Sequence, residues 1–274
     1  MIVKKSKKRW WMRPYEGVVY RHQAGEIICR DALIFLRSLR RECADIVFLD
    51  PPFNLGKKYG RNSNAGDRKT ESEYLEYMTQ IITRSAEILH HGGALYLYHI
   101  PKWAVRLAAV AEKHLQFRHW IAISMKSGFV RGKRLYPAHY ALLYYTKGEP
   151  AAFSRPKIPL PLCRRCQKEL KDYGGYRKYV ENGINLSDVW DDISPVRHNR
   201  HKHRASNELP ETILERVVKI SGRPKGLLVD PFAGTGTSLF IASKLGMGFV
   251  GCDADCLSVQ VINQRLLSSR AGAK

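Results

Sequence analysis

GLLVDPFAGTGTSLFIASKLGMGFVGCDAD, residues 226–255, decides how this chain is read. An apolar run ends on Asp230, a turn carrying Gly234 and Gly236 follows, and a helix is expected over 237–245. A second apolar run, 247–252, leads to Asp253, and a last helix is expected over 255–269. Strand, turn, helix and strand with short connections make a βαβ unit of a parallel sheet. The glycines relax the steric limits on the turn and let its backbone approach a ligand.

The ligand class follows from what the turn lacks. Leu239 stands where a dinucleotide fingerprint has its third glycine, and the GK[ST] ending of a P-loop is missing. Asp253 ends the next strand, where an acid can accept both hydroxyls of a ribose. Adenosine without a pyrophosphate fits this arrangement, and S-adenosylmethionine (AdoMet) is such a ligand. The candidate cofactor residues are Asp230, Ala233, Gly234, Thr235, Gly236 and Thr237 in the turn, with Asp253 beyond it.

Outward from this unit, strands and helices alternate. ADIVFLD (44–50) is a short continuous apolar run, the pattern of a strand covered on both faces. Helical spacing precedes it in RDALIFLRSLRR, and an amphipathic helix is expected over 71–90. ALYLYHI reads as a strand, 102–114 as a helix, and 118–124 and HYALLYYTKG as strands. From about 150 the pattern breaks: six prolines fall between Pro150 and Pro210 amid much positive charge. LPETILERVVKIS restores a helix before GLLVD. The expected fold class is a doubly wound α/β sheet interrupted by an irregular basic segment.

Charge indicates the partner. Lys and Arg number 46 against 25 Asp and Glu, a formal +21, which calls for a polyanion, most commonly nucleic acid. The bland alternative is a basic pI without consequence, or affinity for anionic membranes. Clustering opposes it: Lys4, Lys5, Lys7, Lys8, Arg9 and Arg13 lead the chain, a second group spans 155–178, and RHNRHKHR occupies 197–204. No run reaches the length of a membrane-spanning helix and the N-terminus lacks a signal peptide's apolar stretch, so a cytoplasmic location is expected. Six scattered cysteines suggest reduced thiols.

A second anchor is FLDPPFN, 48–54. With DPPF at 50–53 ahead of DPFAGTG at 230–236, the chain resembles the beta group of DNA amino-methyltransferases. The resemblance covers roughly 18–148 and 205–268. It implies a circularly permuted, Rossmann-like AdoMet-dependent methyltransferase fold with a mostly parallel sheet and an inserted target recognition region. The parts would be a basic arm (1–17), a catalytic part (18–148), the recognition insert (149–204) and an AdoMet-binding part (205–274). An exocyclic amine is a poor nucleophile because its lone pair is delocalised into the ring. Asp50 and the carbonyl of Pro51 would each accept a hydrogen bond from it and favour the tetrahedral nitrogen. Pro51 and Pro52 stiffen the turn and offer no competing donor. Phe53 offers a face for a flipped base. No metal is required.

Other positions follow from the resemblance. Phe232 stands where relatives pack an aromatic near the cofactor. Asp31 in ICRDAL matches the acid that approaches the adenine side of the cofactor; as a helix N-cap it would have an equally ordinary role. NELP (207–210) stands where relatives carry a stretch at the methionine carboxylate, with Asn207 and Glu208 as substitutes for its lysine. Contacts to double-stranded DNA are assigned to Lys126, Arg131, Lys133 and Arg134, and to the phosphate-facing Arg197, Arg200, Lys202 and Arg204. The charged loop after DPPF would close over DNA. Cys163 and Cys166 have zinc-ligand spacing without a second pair, and His198, His201 and His203 are the distant candidates to complete it. The resemblance also implies a homodimer and a cognate restriction endonuclease. DPPF favours adenine N6 over cytosine N4, since cytosine enzymes more often carry SPP[YW]. An RNA methyltransferase, or a nucleic-acid-binding protein that kept the fold without catalysis, are the rivals.

Overall fold

The structure, a computed structural model, describes residues 10–12, 19–56, 69–124, 133, 135, 137–159, 183–193 and 208–271. A sheet of nine strands runs in the order β1 (Val19–Arg21), β2 (Gly25–Cys29), β11 (Gly248–Asp253), β10 (Leu227–Asp230), β3 (Ala44–Leu49), β4 (Leu89–His99), β6 (His139–Thr146), β5 (Gln116–Ser124), β9 (Val189–Trp190). From β2 to β4 all neighbours are parallel, while β1 and β6 run against their neighbours. A separate two-stranded ribbon joins β7 (Lys157–Ile158) to β8 (Ile184–Asn185).

Two apolar layers explain why β3 is hydrophobic throughout. Its Val47 and Leu49 join a core with α1 (Ala32–Ser38), α2 (Glu71–Ile88) and α3 (Pro101–Ala111). Ile46 and Phe48 point to the opposite core, with α4 (Glu211–Ser221), α5 (Thr237–Lys244) and α6 (Cys256–Ala271). All six residues of β3 are buried, as a strand covered on both faces requires. Helix starts follow local chemistry. Thr70 and Glu73 form a reciprocal capping box at α2, and Pro101 opens α3, where its missing N–H costs nothing.

The permutation is visible in the sheet. β10 and β11 come late in the chain yet lie between β2 and β3. From β10 the chain crosses through α5 to β11, and from β3 it crosses the other face through α2 to β4. Between β10 and β3 the winding reverses, which opens a crevice at the carboxyl ends of the two strands.

Three differences from the sequence reading have physical causes. α2 stops at Ile88 and β4 already begins at Leu89, because Leu89 pairs with Ala44 of β3 ahead of a bulge that ends where Ala94 meets Ile46. The region after 150 is not irregular throughout: β9 adds a strand parallel to β5 and buries Trp190, over which Arg216 lies at 5.1 Å from the ring centroid. Near the N-terminus, Trp11 is buried against Phe35, and its indole N–H donates to the buried Glu26 at 2.8 Å. Trp11→Ala is therefore expected to cost about 3–5 kcal/mol of stability in urea unfolding. A loss well under 1 kcal/mol would mean that this segment does not pack as described.

Candidate active site

Two strands end on Asp-Pro at the crevice. The register pairs Val229 with Val47, so Asp230 stands level with Phe48 and Asp50 projects just beyond. Asp50 is half-buried, Pro51 buried, and Pro52 and Phe53 half-buried. Among the described residues no donor reaches the Pro51 carbonyl. Phe53 packs its ring 4.7 Å from His99, 5.8 Å from Tyr140 and 6.0 Å from Tyr98. Burial pushes the Tyr98 and Tyr140 hydroxyls above their ordinary pKa, and the nearby charge of Asp50 pushes in the same direction. Both phenols thus stay protonated around the carboxylate.

The second turn is held from several sides. Gly234 and Gly236 have φ of +54° and +76°, in the left-handed region. A Cβ at Gly236 would lie 2.6 Å from Ile262 of α6. The Ala233 amide donates to Cys252 O and the Gly234 amide to Asp253 Oδ2, both at 2.9 Å. Asp253 also accepts from Asp255 N at 2.8 Å, which helps to fix its carboxylate. Arg265 reaches from α6 to Thr235 O and Thr237 Oγ1 and pairs with Glu211 at 2.7 Å, tying the turn to α4.

Asp230 faces inward and binds the turn rather than the crevice. It accepts from Phe232 N at 2.8 Å and from the Ser238 hydroxyl. Burial pushes its pKa up to about 7; the two donors oppose this and the charge of Asp253 adds to it. Asp31 serves as the N-cap of α1, its Oδ1 accepting from Leu33 N and Ile34 N at 2.9 and 3.0 Å. It follows β2, which runs beside β11, and the preceding Arg30 N donates to Asp253 O. Phe232 packs partly buried against the α1–α3 core.

The expectation of reduced thiols is corrected: Cys29 and Cys256 form a disulfide with Cα atoms 5.1 Å apart. They are 227 residues apart in sequence, but the end of β2 and the start of α6 meet beside Asp253. Cys252 remains a buried thiol that donates to Pro231 O.

Of the DNA-facing candidates, Lys133 is exposed. Lys126, Arg131, Arg134, Arg197, Arg200, Lys202 and Arg204 lie outside the described residues, as do Asn207, Cys163, Cys166, His198, His201, His203 and most of the loop after DPPF. Glu208 is half-buried just ahead of α4. Sequence reasoning missed Asn54, which has φ of +53° and clasps Lys69 through both its amide N–H and its carbonyl at 2.9 Å, closing the base of that loop. It also missed Arg265, Tyr74 and His99. Asparagine in a left-handed turn is a readable signal; the other three sit at helix or strand positions that read as core or surface.

A family model described as DNA methylase matches residues 44–264. The chain belongs to this family. The Type II methyltransferase M.BamHI of Bacillus amyloliquefaciens is 39% identical over 244 residues, 88% of this chain and 57% of that protein. The chain therefore spans little more than half the length of that relative. The DNA adenine methyltransferase YhdJ of Escherichia coli (strain K12) is 25% identical over 258 residues, 92% of this chain and 85% of that one. PvuII DNA methyltransferase, cytosine-N4-specific, superposes with a TM-score of 0.65 at 14% identity, covering 90% of this chain and 91% of that chain. A complex of M1.HpyAVI with SAM gives 0.60 at 16%, covering 88% and 98%. At such identities the two structures speak for the fold. Among the described residues no helix is long and apolar enough to cross a membrane.

The Asp230 carboxyl has a consequence for stability. Its folded pKa of about 7 lies above the ordinary 3.8. The stability it contributes is complete below the lower value and is lost as pH rises through the upper one. Relative to wild type, Asp230→Asn should melt at progressively higher temperature as pH goes from 5 to 8. Thermal melts across that range check it, and a pH-independent difference between the two proteins would contradict it.

Proposed function

We propose that this member of the DNA methylase family transfers a methyl group from AdoMet to the exocyclic amine of a base in double-stranded DNA. The carrying observation is the placement of two Asp-Pro turns side by side at the reversal of the sheet. The turn at 230–236, with Asp253 and Asp31 at its rim, would hold the cofactor. The side-chain-free backbone at the glycines and the acid at the end of β11 suit an adenosine, and the crevice leads from there to Asp50.

At the other turn, Asp50 and the Pro51 carbonyl would accept the two amine hydrogens and favour a pyramidal nitrogen aimed at the methyl group. Phe53, backed by His99, would stack on the flipped base. AdoMet supplies the electrophilic methyl; the chain supplies alignment and two fixed acceptors. Adenine N6 is the reading carried by DPPF. Cytosine N4 is the second reading: both amines need the same two acceptors, and the sheet is shared with a cytosine-N4 enzyme. The basic segments would track phosphates, and a homodimer and a cognate restriction endonuclease are the partners implied by the resemblance.

Labelled transfer from AdoMet to unmethylated genomic DNA, with nucleosides identified by mass, tests the reading. Wild type should yield N6-methyladenine. Asp50→Ala should lose about 10²–10³-fold in rate while still binding AdoMet. N4-methylcytosine would keep the mechanism and change the base. No DNA product despite AdoMet binding would point to RNA or to a binder without catalysis. Gly236→Ala should weaken AdoMet binding about tenfold or more, since a left-handed non-glycine residue costs roughly 1–3 kcal/mol; unchanged binding in calorimetry would remove the cofactor from this turn.

A further inference from the structure

Tyr74 and His99 belong to no motif, yet they meet the DPPF turn from behind. The geometry points to both as positioning residues for methyl transfer, fixing the turn through a hydrogen-bond chain whose proton order is determined. This inference rests on the proposed roles of Asp50 and Pro51.

The order follows from donors and acceptors alone. Ile100 N–H donates to His99 Nδ1 at 2.8 Å, so Nδ1 is the unprotonated nitrogen and the proton sits on Nε2. His99 is fully buried, and burial holds its pKa down to about 3, so the ring is neutral. Tyr74 Oη donates to the Pro52 carbonyl at 2.6 Å. At 2.8 Å from His99 Nε2, the same oxygen accepts the imidazole proton. The chain runs Ile100 N–H to His99, His99 to Tyr74, and Tyr74 to Pro52 O, three hydrogen bonds each with a defined direction.

Its consequence for the turn is mechanical. The proline rings fix φ at 51 and 52, so the orientation of the carbonyls depends on ψ. Tyr74 pins the Pro52 carbonyl from α2, next in sequence to the acceptors assigned to the amine. His99 also lies under the Phe53 ring at 4.7 Å, so one side chain sets both the turn and the stacking surface. Trp103 closes the group from α3, 4.6 Å from the Tyr74 ring. An anchor made of a strand residue and two helices is stiffer than the loop it holds.

Single-turnover transfer, with enzyme in excess over sheared unmethylated genomic DNA and AdoMet saturating, tests this. Tyr74→Phe should slow the chemical step by about 10- to 100-fold, as misplaced acceptors do, with AdoMet affinity and the shape of the pH–rate profile unchanged. His99→Leu should match it. His99→Gln, which keeps a donor toward Tyr74, should recover a large part of the rate. A wild-type rate in Tyr74→Phe overturns the inference. So does a loss of AdoMet binding in step with the rate, or a Gln variant no better than Leu. Asp50→Ala runs alongside: its inactivity with a normal Tyr74→Phe rate defeats the positioning role alone, whereas its full activity defeats the reading of Asp50 beneath it.

Discussion

The reversal of winding between β10 and β3 is the constraint on which everything else depends. Two parallel strands whose following helices leave on opposite faces cannot be bridged at their carboxyl ends, so a crevice opens there by topology. Each of these strands then ends on Asp-Pro. The strand carries the acid to the edge, and the proline stops the ladder at that point because it has no N–H to continue it. The rigid parallel core thereby presents two acids from neighbouring strands without relying on a long loop for either.

The two turns are built alike and used differently. In each, a buried side chain takes up a proline carbonyl: Cys252 holds Pro231 O and Tyr74 holds Pro52 O. In each, the acid has its own environment. Asp230 is buried and spends its oxygens on Phe232 N and Ser238, a structural knot that keeps the glycine turn open. Asp50 stays half-buried among aromatic rings and protonated phenols, a setting in which an acceptor is stronger than it would be in water. Asp230 is thereby a scaffold acid, and the proposed catalytic role falls to the less buried Asp50.

Much of this was legible in the sequence. The strands β3 and β10, the glycine turn and the acid that ends β11 lie where the sequence placed them, because strands buried on both faces and glycine-bearing turns leave continuous local signals. What escaped was non-local. Trp190 belongs to a two-residue strand with no periodicity, and it is placed only by pairing with β5. Cys29 and Cys256 share no spacing motif. Tyr74 falls on the buried face of α2 beside Met78 and Ile81, where an aromatic looks like core until its hydroxyl is seen to reach Pro52. Asp31 shows its ordinary role, since one carboxylate oxygen caps α1; its approach to the cofactor belongs to the proposed function.

The most direct test of the account is a crystal structure with sinefungin, an unreactive analogue of AdoMet. Ribose hydroxyls on Asp253, adenosine along the 230–236 turn and the amine that stands in place of the methyl group facing Asp50 are the expected result. A ligand seated elsewhere on the sheet, or bound with that amine turned away from the DPPF turn, would contradict the assignment of both turns at once.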